Sequence, residues 1–373
     1  MPKYCSPTQK KNKDKYLKNI SCFDKESLLT IATSYNNVYS SDKINIPKTF
    51  TQASLATFWN TLRKQISKQT NCSEENCWIE TTIGKKALEK DQDIGNFLRP
   101  LQPKEWKHNP NEWLSTLDIE KVLDQYNVYN DFIFIGAVPI DFDTKLSPGM
   151  CVINELCNIN IQKLYKKGIR KIGVVFNLDK HTEKGSHWIS LFISIYKGSI
   201  FYFDSYGYPP NKEISTLIHT VRKMMNTLFT STPSIIKYID IESEFSNKIT
   251  KIGTNTYTIK NNLQKDTPVF YKTNKTYKPI TILNSSKHLD MYKIQTNKAL
   301  PTNAVIVQRG TFVFFNSKRY QYKSSACGMY SIIFIIELLK NKSIYQVLRE
   351  MKQDDETEAL RKKYFRPNTL NVK

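Results

Sequence analysis

With 373 residues, 40% of them hydrophobic, the chain is long enough for a sizeable buried core divided over about two domains. Lys and Arg outnumber Asp and Glu by 55 to 34, a net charge of +21 that draws the protein toward polyanions. The N-terminus is polar and Lys-rich, unlike a secretory leader, and the longest apolar run, around 332–339, is too short to span a bilayer. The seven cysteines are an odd count without a leader, which predicts reduced thiols and a cytosolic setting. Cys72 and Cys77 have no His pair nearby, so no metal site is expected there.

Taken in order, residues 1–20 read as a disordered basic leader, with local Lys density at 10–18. A helical arm is expected over 21–95, with the stretch 53–66 patterned as a helix. Pro100, Pro103 and Pro110 mark a linker-like passage at the start of the main body, 96–347. Its first helix is predicted over Trp113–Tyr126, capped by Ser115 or Thr116. Strands follow near 131–136, 171–177, 188–196 and 200–204, and a helix over Lys212–Phe229. An Asn-, Thr-, Lys- and Tyr-rich insertion is expected at about 231–305, with hairpin strands near 254–260 and 268–272. Ala304–Phe315 reads as a core strand, 329–340 as a buried apolar helix, and 348–373 as a charged tail. The pattern is α+β.

The chemistry concentrates in three short strings. Gly185-Ser186-His187-Trp188 opens one apolar strand, and Phe203-Asp204-Ser205 closes the next. Gln321 precedes Cys327-Gly328, which begins the apolar helix. A helix N-terminus offers free N–H groups and partial positive charge that favour a thiolate, and Gly328 is expected to leave the sulfur uncrowded. A two-residue turn at Lys197-Gly198 would set residue 187 opposite 208 and 191 opposite 204, with 187 and 204 on one face. An acid in that position orients an imidazole and stabilises its cation. Nucleophile, base, orienting acid and oxyanion donor are thus all present in order.

These strings resemble the adenovirus-protease and SUMO-protease superfamily of cysteine peptidases, and within it the virion-maturation proteases of nucleocytoplasmic large DNA viruses. The tract Asn71 to Ile79 is similar to part of the N-terminal arm of the asfarvirus-type enzymes. The resemblance implies a papain-like (adenovirus/SUMO-protease-like) core with a helical N-terminal arm. It assigns Cys327 as nucleophile, His187 as base, Asp204 as orienting acid and Gln321 as oxyanion donor. Some relatives carry a Gln three residues before the Cys, where this chain has Ser324. Trp188 matches the family's aromatic after the His and is expected to roof a narrow substrate cleft. The implied activity is cleavage of viral structural precursors after Gly-Gly or Ala-Gly motifs, in virions and in viral factories of the host cytoplasm. A protease for SUMO- or ubiquitin-like modifiers, and a non-catalytic DNA-binding virion protein, are the alternatives. No cofactor is expected, beyond nucleic acid as a non-specific activator or tether. The expected partners are protein substrates and, through the charge, DNA or RNA.

Overall fold

The computed structural model describes residues 4–7, 17–239, 244–264, 267–273, 276–323 and 325–367. The Lys-rich run at 10–16, within the expected leader, and Ser324 lie outside the described residues. The chain forms two compact units, Met1–Tyr129 with Lys323–Ile332 and Lys352–Lys373, and Asn130–Tyr322 with Ile333–Met351.

In the first unit, α1 (Lys25–Val38) is started by Asp24, whose carboxylate accepts the Ser27 N–H. The helix α2 (Gln52–Thr70) begins at a Thr51–Ser54 capping box and ends on Asn71 in the left-handed region. Their apolar stripes, Leu28, Ile31 and Tyr35 against Leu55, Phe58, Leu62 and Ile66, share one core with Trp78. The helix α3 (Thr116–Leu123) starts where Ser115 and Asp118 cap each other, so the predicted cap is present and the helix is shorter than expected. Trp113 and Leu114 stand before it as extended chain because the cap fixes the first turn at Thr116.

Three expectations fail in this unit. Leader residues 4–7 and 17–20 are ordered: Ser6 N–H donates to Phe97 O at 2.9 Å, and Cys5 is disulfide-bonded to Cys22. The thiols expected to be reduced are paired, as Cys5–Cys22, Cys72–Cys77 and, in the second unit, Cys151–Cys157. Cα separations of 4.9, 5.9 and 6.4 Å lie within disulfide reach. Counting cysteines cannot reveal that proximity. The segment read as a charged tail folds as far as 367, because its charges are used internally. Arg361 donates to Glu112 O at 2.6 Å, and Arg366 to Asn76 O at 2.7 Å and Arg99 O at 2.9 Å.

The second unit is built on a five-stranded sheet in chain order, β1 (Phe132–Pro139), β2 (Lys171–Asn177), β3 (Trp188–Ser194), β4 (Ser199–Phe203) and β5 (Phe312–Phe315). The outer pairs are parallel, and β2–β3 and β3–β4 are antiparallel. The helix α4 (Lys212–Ser231) buries Ile214, Leu217, Ile218, Val221 and Met225 in the core formed with these strands. The apolar helix is α5 (Cys327–Leu339), with Cys327 its first residue.

The strand expected over Ala304–Phe315 is two strands interrupted at Gly310. Val305–Arg309 pairs with Glu244–Lys248 and Val269–Thr273, inside the inserted region, whereas β5 pairs with β4. A second four-stranded sheet joins Ile282–His288, Met291–Thr296, Thr256–Ile259 and Thr250–Gly253. Tyr257, Ile259, Tyr271, Ile294 and Ile306 give the region a hydrophobic core of its own. Among the described residues, no helix is long and apolar enough to cross a membrane.

Candidate active site

The hairpin β3–β4 sets the site's geometry, with a register two residues away from the one expected. Leu191 faces Tyr202 and Ser194 faces Ser199, which leaves a four-residue connection. Ile195 is fully buried and donates its N–H to Arg170 O at 2.8 Å, which holds it out of a tight turn. Gly198 completes the connection at φ +67°. A shift of two residues preserves the alternation, so 187 and 204 remain on one face, and the register continued past Phe203 carries Tyr206 toward 187.

His187 is held just before β3. Its carbonyl accepts the Leu178 N–H at 3.0 Å, and Asn177 Oδ1 accepts the N–H groups of Asp179 at 3.0 Å and Ser186 at 3.2 Å. Gly185, at φ +93°, lies where a Cβ would come within 2.6 Å of the Asn177 amide. The imidazole Nε2 is 2.8 Å from Asp204 Oδ1, with both side chains buried. An Nε2–H donated to this carboxylate leaves the Nδ1 lone pair as the imidazole's basic site.

Asp204 is itself over-determined. Its N–H donates to Asn316 Oδ1 at 2.9 Å, Asn316 Nδ2 donates back to its carbonyl at 2.6 Å, and Tyr206 N–H donates to Oδ1 at 2.8 Å. Gly207, at φ +81°, lets the turn approach the 317–318 backbone, where a Cβ would meet Ser317 O at 2.8 Å. The Tyr202 hydroxyl, below Asp204, is held protonated by burial and then by that charge.

Gln321 is fully buried and tied to the same turn. Its Oε1 accepts the Ser205 hydroxyl at 2.6 Å, which orients the amide, and its Nε2 lies 3.4 Å from Tyr206 Oη. Its N–H and that of Tyr320 both donate to Ser205 O, at 3.0 and 2.8 Å. His187, Asp204 and Gln321 are therefore brought together by the segment 204–207. The sequence analysis missed the members that join them, Ser205, Tyr206 and Asn316. Tyr206 stacks on the His187 ring, centroids 4.6 Å apart, and carries the Arg319 guanidinium 5.2 Å from its own centroid. Its place beside His187 depends on the four-residue β3–β4 connection, which the two-residue turn expected at Lys197-Gly198 did not allow for.

Cys327 opens α5, with the Ala326 carbonyl accepting the Tyr330 N–H at 3.0 Å. It is buried, and among the described cysteines it alone carries a free thiol. A Cβ at Gly328 would meet Leu114 Cβ at 3.0 Å, so the glycine also makes room for Leu114. Trp188, the first paired residue of β3, is 4% exposed. Among the described residues no group of His, Cys, Asp and Glu is arranged to hold a metal ion.

A buried His187–Asp204 pair and a free Cys327 thiol are the residue types that a thiol peptidase uses. Comparison with known proteins agrees. The model of the Ulp1 protease family, C-terminal catalytic domain, matches residues 172–262, which contain His187 and Asp204. A protein of Acanthamoeba polyphaga mimivirus, named as a candidate thiol protease, is 35% identical over 213 residues, covering 54% of this chain and 67% of that protein. The crystal structure of an ASFV protease superposes with a TM-score of 0.53 at 16% identity, covering 99% of this chain and 97% of that one. Its selenomethionine form gives 0.50 at 16% identity, covering 98% of each chain. At that identity the likeness speaks for the fold. The chain belongs to the Ulp1 protease family and is a cysteine-type peptidase of α+β, SUMO-protease-like fold.

Proposed function

We propose that this peptidase is an endopeptidase that cuts viral structural precursors through an acyl-enzyme on Cys327. The observation that carries the assignment of roles is the buried His187–Asp204 pair, 2.8 Å apart. His187 Nδ1 takes the thiol proton, and the Cys327 sulfur attacks the scissile carbonyl. The resulting oxyanion accepts the Gln321 amide N–H and the Cys327 backbone N–H. Collapse of that intermediate expels the amine, which takes the proton from the imidazolium. Water, deprotonated by His187, then releases the acid and restores the thiol. Asp204 fixes the tautomer and stabilises the imidazolium in both halves.

Substrate choice follows the resemblance, with cleavage after Gly-Gly or Ala-Gly. Trp188, at 4% exposure, can offer a substrate no more than an edge, which suits a narrow cleft for residues without bulky side chains. No cofactor enters these steps. The surplus of cationic side chains supports non-specific DNA or RNA binding as a tether, in virions and in viral factories of the host cytoplasm. The test is incubation of the purified protein with precursor polyproteins and with SUMO and ubiquitin fusions, followed by sequencing of new N-termini. Cuts after Gly-Gly or Ala-Gly in precursors, lost in Cys327→Ala and His187→Ala, are expected. Cleavage of the modifier fusions alone would reassign the substrate, and turnover surviving in Cys327→Ala would refute the mechanism.

A further inference from the structure

A groove along α4 lies outside every role assigned above and shares no residue with the peptidase site. One stripe of the helix is buried in the core. A second stripe at helical spacing, carrying His219, Arg222, Lys223 and Asn226, lines a groove of about 440 Å³ whose facing wall is Thr267 and Pro268. That volume falls among those of small-molecule sites. Among the described residues no acidic side chain lines the groove, while Arg222 and Lys223 are cationic. Of the residues lining it, Arg222 Nε and Thr267 Oγ1 are buried and make no hydrogen bond among the described residues, a condition native structures tolerate rarely. The Asn226 carbonyl oxygen accepts both the N–H and the hydroxyl of Thr311 at 2.9 Å. Gly310 keeps the two walls close: a Cβ there would come within 3.0 Å of Thr267 Cγ2 and 3.2 Å of Asn226 Oδ1.

We propose that this groove binds a small phosphorylated molecule, with its phosphate on Arg222. A guanidinium presents a planar fork of donors that matches phosphate oxygens, and Lys223 adds charge along the same groove. The Thr267 hydroxyl donates to a further oxygen. The confinement of these donors to one groove on one helix face favours a compact anion over an extended polynucleotide, which needs a track of cations.

The test is calorimetric titration of the full-length protein with adenosine 5′-monophosphate, inorganic phosphate, adenosine and a short DNA duplex. Saturable binding of the monophosphate, weaker binding of phosphate and none of adenosine are expected. Arg222→Gln should weaken the monophosphate about tenfold or more, and Thr267→Val severalfold, with peptide turnover unchanged in both. Arg222→Lys should fall between wild type and Arg222→Gln, because it keeps the charge without the fork. Absence of saturable monophosphate or phosphate binding at millimolar concentration would overturn the proposal. So would binding that survives both Arg222→Gln and Thr267→Val. Duplex binding that depends on Arg222 without any monophosphate binding would assign the groove to nucleic acid and refute the small-ligand reading. Because turnover is read separately, failure here is distinguishable from failure of the proposed peptidase mechanism.

Discussion

Tyr206 gives the sharpest test of how the His187 ring is held. Its ring stacks on the imidazole at 4.6 Å and 28°, its N–H donates to Asp204 Oδ1 at 2.8 Å, and its hydroxyl lies 3.4 Å from Gln321 Nε2. Tyr206→Ala keeps the backbone bond and removes the ring. An aromatic pair of this kind contributes about 0.5–1.5 kcal/mol, and about 1.4 kcal/mol is a factor of ten in rate, so kcat should fall roughly two- to twelvefold. Tyr206→Phe keeps the stack and loses only a hydroxyl contact too long to be a strong hydrogen bond, so it should stay within about twofold of wild type. The assay is kcat and KM on a fluorogenic peptide across a pH series, with Asp204→Asn measured alongside. The Asp204→Asn loss should be much larger, because an amide cannot stabilise the imidazolium. Wild-type turnover in Tyr206→Ala would refute a positioning role for the stack, and an equal loss in Tyr206→Phe would move that role to the hydroxyl.

Gln321→Ala should lower kcat roughly a hundredfold by removing a transition-state donor, and should also lower stability by about 1–3 kcal/mol, because the buried Ser205 hydroxyl loses its acceptor. Denaturant melts beside kinetics separate the two effects, and full activity in this variant would exclude the oxyanion role. Alkylation of the native protein without reductant should add a single label, at Cys327, since the other six cysteines are paired; a second labelled position found by mass mapping would contradict the pairing. Glu75 is buried despite accepting from Ser21, Cys22 and Trp59, and burial pushes its carboxyl up from 4.5 to about 7. The fold therefore holds a proton that the unfolded chain releases between those two values. Stability should fall as pH rises through that window and level off above it, by roughly 3 kcal/mol from this group. Thermal melts of Glu75→Gln should lack that share of the slope; an unchanged pH profile would count against it.

The parts of the fold written as local alternation and capping were legible in the sequence. The strands at β2, β3 and β4, the Ser115 cap and the helix starting at Cys327 follow from periodicity and end signals within a few residues of each element. What was not legible depends on distant chain. The β3–β4 register turned on Ile195 bonding to Arg170, and the break at Gly310 on the pairing of Val305–Arg309 with an inserted sheet. Gly328 answers to Leu114, far upstream. Two of the disulfides, Cys72–Cys77 and Cys151–Cys157, are local, and they were missed because the odd cysteine count pointed to reduced thiols. Within the candidate site, the sequence named His187 and Asp204, which the structure pairs, whereas Ser205 and Asn316 were missed because they bond to residues more than a hundred positions away.

The hydrogen bonds that join Asp204 to Asn316, and Ser205 to Gln321, span 112 and 116 residues of chain, with the inserted sheets between. Contacts of such separation form late in folding, after the intervening loop has been closed. On the ribosome, the His187–Asp204 hairpin emerges well before its amide partner and the thiol, and at roughly 5–20 residues per second the interval lasts several seconds or more. A nascent chain therefore carries His187 and Asp204 before Gln321 and Cys327 have been made. On the mechanism proposed above, the order of these residues along the chain withholds cleavage until the thiol has been made.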